Sequence, residues 1–362
     1  MEKLKIGVLG GTGMVGQNYV RLLADHPWFE IIDIAASPRS AGKEYHEAAG
    51  YKWQMPVPIP EKVNNIIVRD VQDYEAIPDE ISFVFSAINM PTKDDIRRVE
   101  FEYAKRDIPV ISNNSAHRWT EDVPMIIGEI NNEHSDVIPI QQKNRGFSKG
   151  FVAVKPNCSL QSYLTAIHAL NEAGYKVEKL VITTLQAVSG AGYPGVASLD
   201  MVDNIVPYIG GEEKKTEQEP LKIMGTVGEK GIINDDSITI SSTCTRVAVR
   251  DGHTASVNMK FKDAIPSKKE IIDIWTNFKA LPQELELPFA PERPIIYLPH
   301  EDRPQPIKDR DNDKGMAVTV GRLRDDPIFD YKFVSLSHNT IRGAAGGAIL
   351  MAEMLKHKGY LD

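Results

Sequence analysis

The first half of the chain alternates short apolar runs with amphipathic stretches. Leu4 to Leu9, Ile31 to Ala36, Ile66 to Val68, Phe83 to Ser86 and Val110 to Ser112 are apolar runs of strand length. Between them, Val15 to Leu23 and Ile96 to Ala104 repeat apolar residues every three or four positions, the period of a helix buried along one face. Strands separated by helices predict a parallel sheet covered on both sides, a doubly wound dinucleotide fold. From about Val154 the texture shifts to longer β-rich runs, Leu180 to Ala187, Ser237 to Val249 and Ala255 to Phe261, which predict a second, mostly antiparallel sheet. Pro294 to Lys314, crowded with Pro, Asp and Arg and without a period, predicts a long ordered loop or arm. Thr340 to Lys356 returns to helical spacing.

A length of 362 residues exceeds what one hydrophobic core usually serves, so two domains are expected. The 42% hydrophobic and 25% charged composition is that of an ordinary globular protein. A net charge of −8 argues against nucleic-acid or anionic-membrane partners, which require concentrated basic surface, and any anionic substrate must meet local positive charge. Two cysteines, Cys158 and Cys244, make no disulfide framework; each is a buried apolar filler or a reactive thiol. The start Met1-Glu2-Lys3-Leu4 lacks a secretory pattern, and no apolar run reaches the roughly eighteen residues of a membrane span, so a cytoplasmic protein is expected. No histidine and carboxylate spacing suits a metal.

Directly after the first apolar run stand Gly10, Thr12, Gly13, Met14, Val15 and Gly16, with glycines three apart and a helix-forming run behind them. Such a turn lets backbone approach a pyrophosphate at a helix N-terminus, although any tight strand-to-helix turn also selects glycine. The second run ends in Ser37, Arg39 and Ser40, with no Asp or Glu to accept from ribose hydroxyls. Hydroxyls and a cation suit a 2′-phosphate, so NADP is favoured over NAD.

Lys155-Pro156-Asn157-Cys158-Ser159 precedes a helical pattern. A thiol at a helix N-terminus is expected to be held as thiolate by the dipole, and the turn's N–H groups could face an oxyanion. His253 follows an Asp-Gly turn beyond Arg246 and is a candidate acid and base near neutral pH, or a surface polar residue.

Taken together, the glycine turn, Ser112 to Arg118, Pro156-Asn157-Cys158-Ser159, Gln186 to Gly192, Gly211 to Lys215, Arg246 with His253, and Asn339 before Arg342 to Gly347 resemble the aspartate-semialdehyde dehydrogenase family over nearly the full length. The step from Arg246 to His253 and Arg303-Pro304-Gln305-Pro306 are similar to its archaeal and fungal branch. The resemblance implies a Rossmann-type NADP-binding domain over residues 1–155, completed by a C-terminal helix at 340–362, and an α+β catalytic and dimerisation domain over 156–339. It implies a homodimer or homotetramer. It makes Cys158 the nucleophile on an aspartyl β-acyl phosphate, His253 the acid and base, and Gln186 the group that orients the acyl carbonyl. Arg246 would take the α-carboxylate, Glu212 the α-ammonium, and Arg118 and Lys215 the phosphate, with Asn157 also at the substrate; Glu213 and Lys214 would be solvated. Ser86, Ala87, Ser189, Gly190 and Asn339 would join the cofactor site, Asn339 at the nicotinamide carboxamide.

A malonyl-CoA reductase would share the cofactor site, Cys158 and His253 but not the acid and base pair at Glu212 and Lys215. N-acetyl-glutamyl-phosphate reductase shares the chemistry at greater distance. A non-catalytic NADP sensor would need neither Cys158 nor His253.

Overall fold

A computed structural model describes residues 2–362. The first sheet contains β1 (Leu4–Leu9), β2 (Phe29–Ala36), β3 (Arg69–Asp70), β4 (Phe83–Ser86), β5 (Val110–Ser112) and β6 (Val152–Val154). Their order is β3-β2-β1-β4-β5-β6 and every pairing is parallel. The order reverses at β1, so the carboxyl ends of β1 and β4 open a crevice at that switch point. Ile66 to Val68 is not one of these strands: Ile67 makes only an isolated bridge to Glu44, and the ladder on β2 is taken by Arg69 and Asp70. The guanidinium decides this, since Arg69 binds Asp33 of β2 through two nitrogens, at 3.2 and 2.7 Å, and so sets the register.

The second sheet is built from β7 (Val177–Gln186), β10 (Thr239–Arg246), β11 (His253–Phe261), β12 (Ile295–Leu298), β13 (Val318–Asp325) and β14 (Tyr331–Ser337), in the order β10-β7-β11-β14-β13-β12. A separate ladder joins β8 (Thr226–Val227) to β9 (Ile232–Ile233). The central pairings are antiparallel, and the two edge strands, β10 and β12, are parallel to their neighbours. β10 stops at Arg246, short of Val249: after a last bond from the Val247 N–H to the Gln186 carbonyl of β7, the Val249 N–H turns back to the Val247 carbonyl. Pro294 to Lys314 is less irregular than its composition predicts: Ile295–Leu298 forms β12, and Pro306–Asp309 a helical turn.

Between the sheets, the helix Leu164–Glu172 is buried on nearly every side and belongs to a core running from Val84 and Val110 of the first sheet to Ile182 and Val257 of the second. The opposite face of the first sheet is covered by the helices Met14–Leu23 and Gly346–His357. That last helix is apolar almost all round and packs in one cluster with Ile6, Val8 and Phe83. It brings the end of the chain back to β1. Among the described residues, no helix is long and apolar enough to cross a membrane.

Candidate active site

Between β1 and the helix Met14–Leu23 the chain reverses within four residues. Gly10 has φ 80°, and a Cβ there would lie 2.4 Å from the Ala87 carbonyl oxygen, so only glycine allows the turn to sit against the end of β4. No side chain caps the helix, leaving its first N–H groups for an anion. Gly10, Thr12, Gly13, Met14, Ser37, Arg39, Ser40 and Ala87 line one cleft of about 690 Å³. Lys43 and Lys52, which the sequence did not single out, add cations to its wall, and Tyr193 and Pro194 bound it from the second half of the chain. The nearest acid on β2, Asp33, is buried against Arg69 and cannot serve a ribose. Five expected members are not part of this wall: Ser189, Gly190 and Asn339 lie with the turn beside His253, and Ser86 and Val15 stand behind the cleft. Ser86 is fully buried and gives its hydroxyl to Glu100, and Val15 packs its side chain into the core.

Cys158 lies on a turn after β6, not at the start of an α-helix: a 3₁₀ turn, Leu160–Ser162, comes first, and the α-helix begins at Leu164. Asn157 shapes the turn, its Oδ1 accepting from both the N–H and the hydroxyl of Ser159. Cys158 Sγ is 3.3 Å from His253 Nε2, at the first residue of β11. The expected thiolate is not what the surroundings favour. Burial, followed by the Glu212 charge, pushes the thiol up to about 11, against the pull of Arg118, Lys155 and Lys215. Burial and the Arg246 charge push the His253 ring down to about 3. Both directions disfavour a charged pair at rest.

The Cys158 Cβ and backbone are pressed against the final helical segment, where Ile341–Ala345 forms a π-type turn. A Cβ on Gly343 would come within 2.9 Å of Cys158 Cβ. Gly343→Ala is expected to displace the thiol and lower kcat by roughly 10- to 100-fold with little change in KM, read from initial rates. An unchanged kcat would show that the contact does not place the sulfur.

The helix Glu212–Ile223 supplies the polar wall. Glu212, Thr216 and Glu219, four and three residues apart, share one face, and all three are buried. Glu212 takes Asn157 Nδ2, Gln186 Nε2 and Lys215 Nζ, the last at 2.6 Å. Burial opposes the Glu212 charge, but Lys215 and the two amides outweigh it and hold the carboxyl below its ordinary value. Arg118 donates to Glu219, to the Lys155 carbonyl and to the Asn113 carbonyl. Glu219 also accepts from the Asn157 N–H at 2.6 Å, a role that sequence reasoning missed, though the spacing from Glu212 was its signal. Glu213 is only half exposed and accepts from the Cys244 N–H, so of the two residues expected in solvent only Lys214 is exposed.

Arg246 ends β10 beside Gln186, and its Nη1 donates to the Ala187 carbonyl at 2.7 Å. The turn Val188–Ala191 then wraps the pair: a Cβ on Gly190 would be 2.9 Å from Arg246 Nη1 and 3.3 Å from His253 Nε2. Asn339 donates to the Ser189 hydroxyl at 2.8 Å and accepts from the Gly252 N–H, tying the final segment to this turn. Among the described residues, no group of three or more acidic, histidine or cysteine side chains is placed to hold a metal.

A dinucleotide-type cleft and a part-buried cysteine–histidine pair, carried by two sheets, define a two-domain dehydrogenase of the semialdehyde type. The family model described as the semialdehyde dehydrogenase NAD binding domain matches residues 5–138, and that described as the dimerisation domain matches residues 167–342. Curated relatives include the aspartate-semialdehyde dehydrogenase of Aspergillus fumigatus, 42% identical over 99% of both chains. That of Methanothermobacter thermautotrophicus is 44% identical over 97% of this chain and 99% of the relative. The structure is similar to aspartate semialdehyde dehydrogenase with NADP from Candida albicans, at TM-score 0.89 and 37% identity, over 99% of this chain and 100% of that one. The chain belongs to the aspartate-semialdehyde dehydrogenase family.

Proposed function

We propose that the chain reductively dephosphorylates L-aspartyl-4-phosphate to L-aspartate 4-semialdehyde with NADPH, through a thioacyl intermediate on Cys158. The observation that carries this is the 3.3 Å approach of Cys158 Sγ to His253, beside the hydrogen-bonded groups Gln186, Glu212 and Lys215 and the Arg246 guanidinium. The glycine turn and the Ser37, Arg39 and Ser40 wall fit NADPH, with Lys43 and Lys52 beside them, and the hydrogen-bonded pair Asn339 and Ser189 would meet its nicotinamide end. Bound NADPH supplies the hydride. Cys158 forms the S–C bond as the C–O bond to phosphate breaks. Gln186 orients the carbonyl, and the Arg246 fork binds the α-carboxylate. The substrate ammonium takes over the Glu212 carboxylate now held by Lys215, which frees Lys215 to join Arg118 at the phosphate. An acyl-CoA substrate has no ammonium for this buried pair.

Residues 1–155 with 340–362 would hold the cofactor, and 156–339 would carry the chemistry and the subunit contact of a homodimer or homotetramer. The setting would be the cytoplasm, in synthesis of lysine, threonine, methionine and isoleucine.

The test runs the reaction in reverse. Aspartate semialdehyde, phosphate and NADP should give phosphate-dependent NADPH absorbance; silence there with NADPH oxidation by malonyl-CoA would overturn the assignment of the substrate clamp. Arg39→Ala should raise KM for NADP roughly 10- to 100-fold, the equivalent of one charge-assisted hydrogen bond of about 1.5–3 kcal/mol, and leave NAD kinetics nearly unchanged. Equal losses with both cofactors would show that Arg39 does not read the 2′-phosphate.

A further inference from the structure

The functional reading puts Arg118 at the phosphate, and one helix, Glu212–Ile223, grips that residue twice. Glu219 accepts from its Nη1 at 2.9 Å. Lys222, three residues further along the same buried face, reaches its backbone instead. Lys222 Nζ donates to the carbonyls of Arg118, Thr120 and Val123 at 3.0, 2.7 and 2.9 Å. An ammonium has three N–H donors, so its whole capacity is given to this one stretch of chain. The stretch runs between β5 and β6 outside the sheet ladders, where carbonyls must find their donors elsewhere. Among the described residues, no carboxylate comes within ion-pair distance of Lys222; Asp122, in the same stretch, is taken by Arg145 at 2.6 Å. Burying a charge is costly unless it is hydrogen-bonded, and here every bond it makes ties the loop of Arg118 to the helix. The Arg118 guanidinium has five N–H groups; Glu219, the Lys155 carbonyl and the Asn113 carbonyl take three, leaving two for a ligand.

We propose that Lys222 is a positioning residue for phosphate: by binding three loop carbonyls it fixes the Arg118 backbone and so sets where the two remaining guanidinium N–H groups meet the phosphate. The inference rests on the assignment of Arg118 above and deepens it. One helix then serves both ends of the substrate. Glu212, its first residue, takes the ammonium, while Glu219 and Lys222, near its other end, hold the cation that takes the phosphate. Glu212 and Lys222 are ten residues apart, about 15 Å along a helix axis. None of the three Lys222 bonds reaches Gln186, Arg246 or Glu212, so its loss is felt at the phosphate end alone. A lysine that only stabilised the fold would instead weaken every kinetic parameter together.

The experiment measures initial rates of the reverse reaction for the full-length wild type, Lys222→Met and Lys222→Gln, varying phosphate and aspartate semialdehyde in turn. Lys222→Met keeps the aliphatic stem and removes every donor. Its KM for phosphate should rise roughly 10- to 100-fold, while KM for aspartate semialdehyde and kcat at saturating phosphate stay within about threefold. Lys222→Gln keeps two N–H donors without the charge and should fall between wild type and Lys222→Met. A parallel loss in all three parameters, or an unchanged KM for phosphate, would overturn the proposal. The Arg118→Met background supplies the second readout: adding Lys222→Met there should cost less than about twofold more in KM for phosphate, because the cation it positions is gone. A full further loss would show that Lys222 acts elsewhere. Binding of NADP, followed by fluorescence, confirms that each variant is folded, and Lys222→Gln completes the same cycle if Lys222→Met is not. Phosphorus NMR of inorganic phosphate with the NADP complex needs no turnover: the line should broaden more with wild type than with Lys222→Gln, and equal broadening would be fatal. If the wild-type reverse assay is silent while that difference holds, the functional reading fails and the role of Lys222 at an anion site stands.

Discussion

Cys158→Ser is expected to reduce turnover in either direction by on the order of 10⁴-fold or more while the protein stays folded. A serine hydroxyl nearly matches the thiol in size, so the contact with Gly343 and the turn set by Asn157 survive. What is lost is an acidic, polarisable nucleophile and a leaving group that departs readily when the tetrahedral centre collapses. His253 cannot compensate, because its Nε2 is aimed at the atom that has been changed. The measurement is the reverse rate with aspartate semialdehyde, phosphate and NADP, alongside circular dichroism to confirm folding. Cys244→Ser is the control: Cys244 is buried, and its sulfur meets the Thr216 hydroxyl at 3.6 Å and not His253. That variant should stay within a few-fold of wild type. A Cys158→Ser enzyme retaining a tenth of the wild-type rate would remove the covalent route.

Four strands of the first sheet, β1, β2, β4 and β5, were legible because they are short apolar runs separated by helical periods, whereas β3, Arg69–Asp70, is polar and is set by the pairing of Arg69 with Asp33. β6 was harder, since Val152–Val154 is three residues long and sits beside the change of texture. β12 hid inside a stretch whose Pro and Asp content reads as loop, and only pairing with β13 makes Ile295–Leu298 a strand. At the site, the residue types at Cys158, His253 and Arg246 announced their chemistry, and the fold does bring them together. What the chain could not show locally was the solvent around them. The thiolate expected at a helix start depends on a dipole close behind it, whereas the α-helix begins six residues later and burial dominates. The Ala187 N–H and carbonyl, which meet His253 and Arg246, are equally invisible in sequence, because backbone groups carry no residue signature. Lys155 belongs to the same class. It is buried beside the nucleophile, and burial with the Arg342 charge pulls its ammonium down to about 7.

Glu219 makes the case for the structure most directly, and Glu219→Ala is expected to be the most destabilising change at the site. Its carboxylate lies fully buried between the Arg118 guanidinium and the Asn157 N–H, with one oxygen for each. Removing it leaves a buried cation and a buried donor without an acceptor, a loss of about 3–5 kcal/mol by the usual cost of breaking one side of a buried pair. The Asn157 N–H belongs to the residue next to the nucleophile, so activity should also fall, on the order of 10²-fold, through a displaced Cys158. Glu219→Gln separates the two effects. Its amide oxygen can still accept from Asn157 while the charge opposite Arg118 disappears, so it should lose stability but keep much of its rate. Adding Arg118→Met to Glu219→Ala removes the stranded cation and should recover part of the stability without recovering activity, since Arg118 is also assigned to the phosphate. Urea denaturation at one fixed protein concentration reads the stability of all four proteins. A Glu219→Ala protein within 1 kcal/mol of wild type would mean that water or a neighbouring carbonyl satisfies Arg118, and that this carboxylate is not what holds the cysteine turn in place.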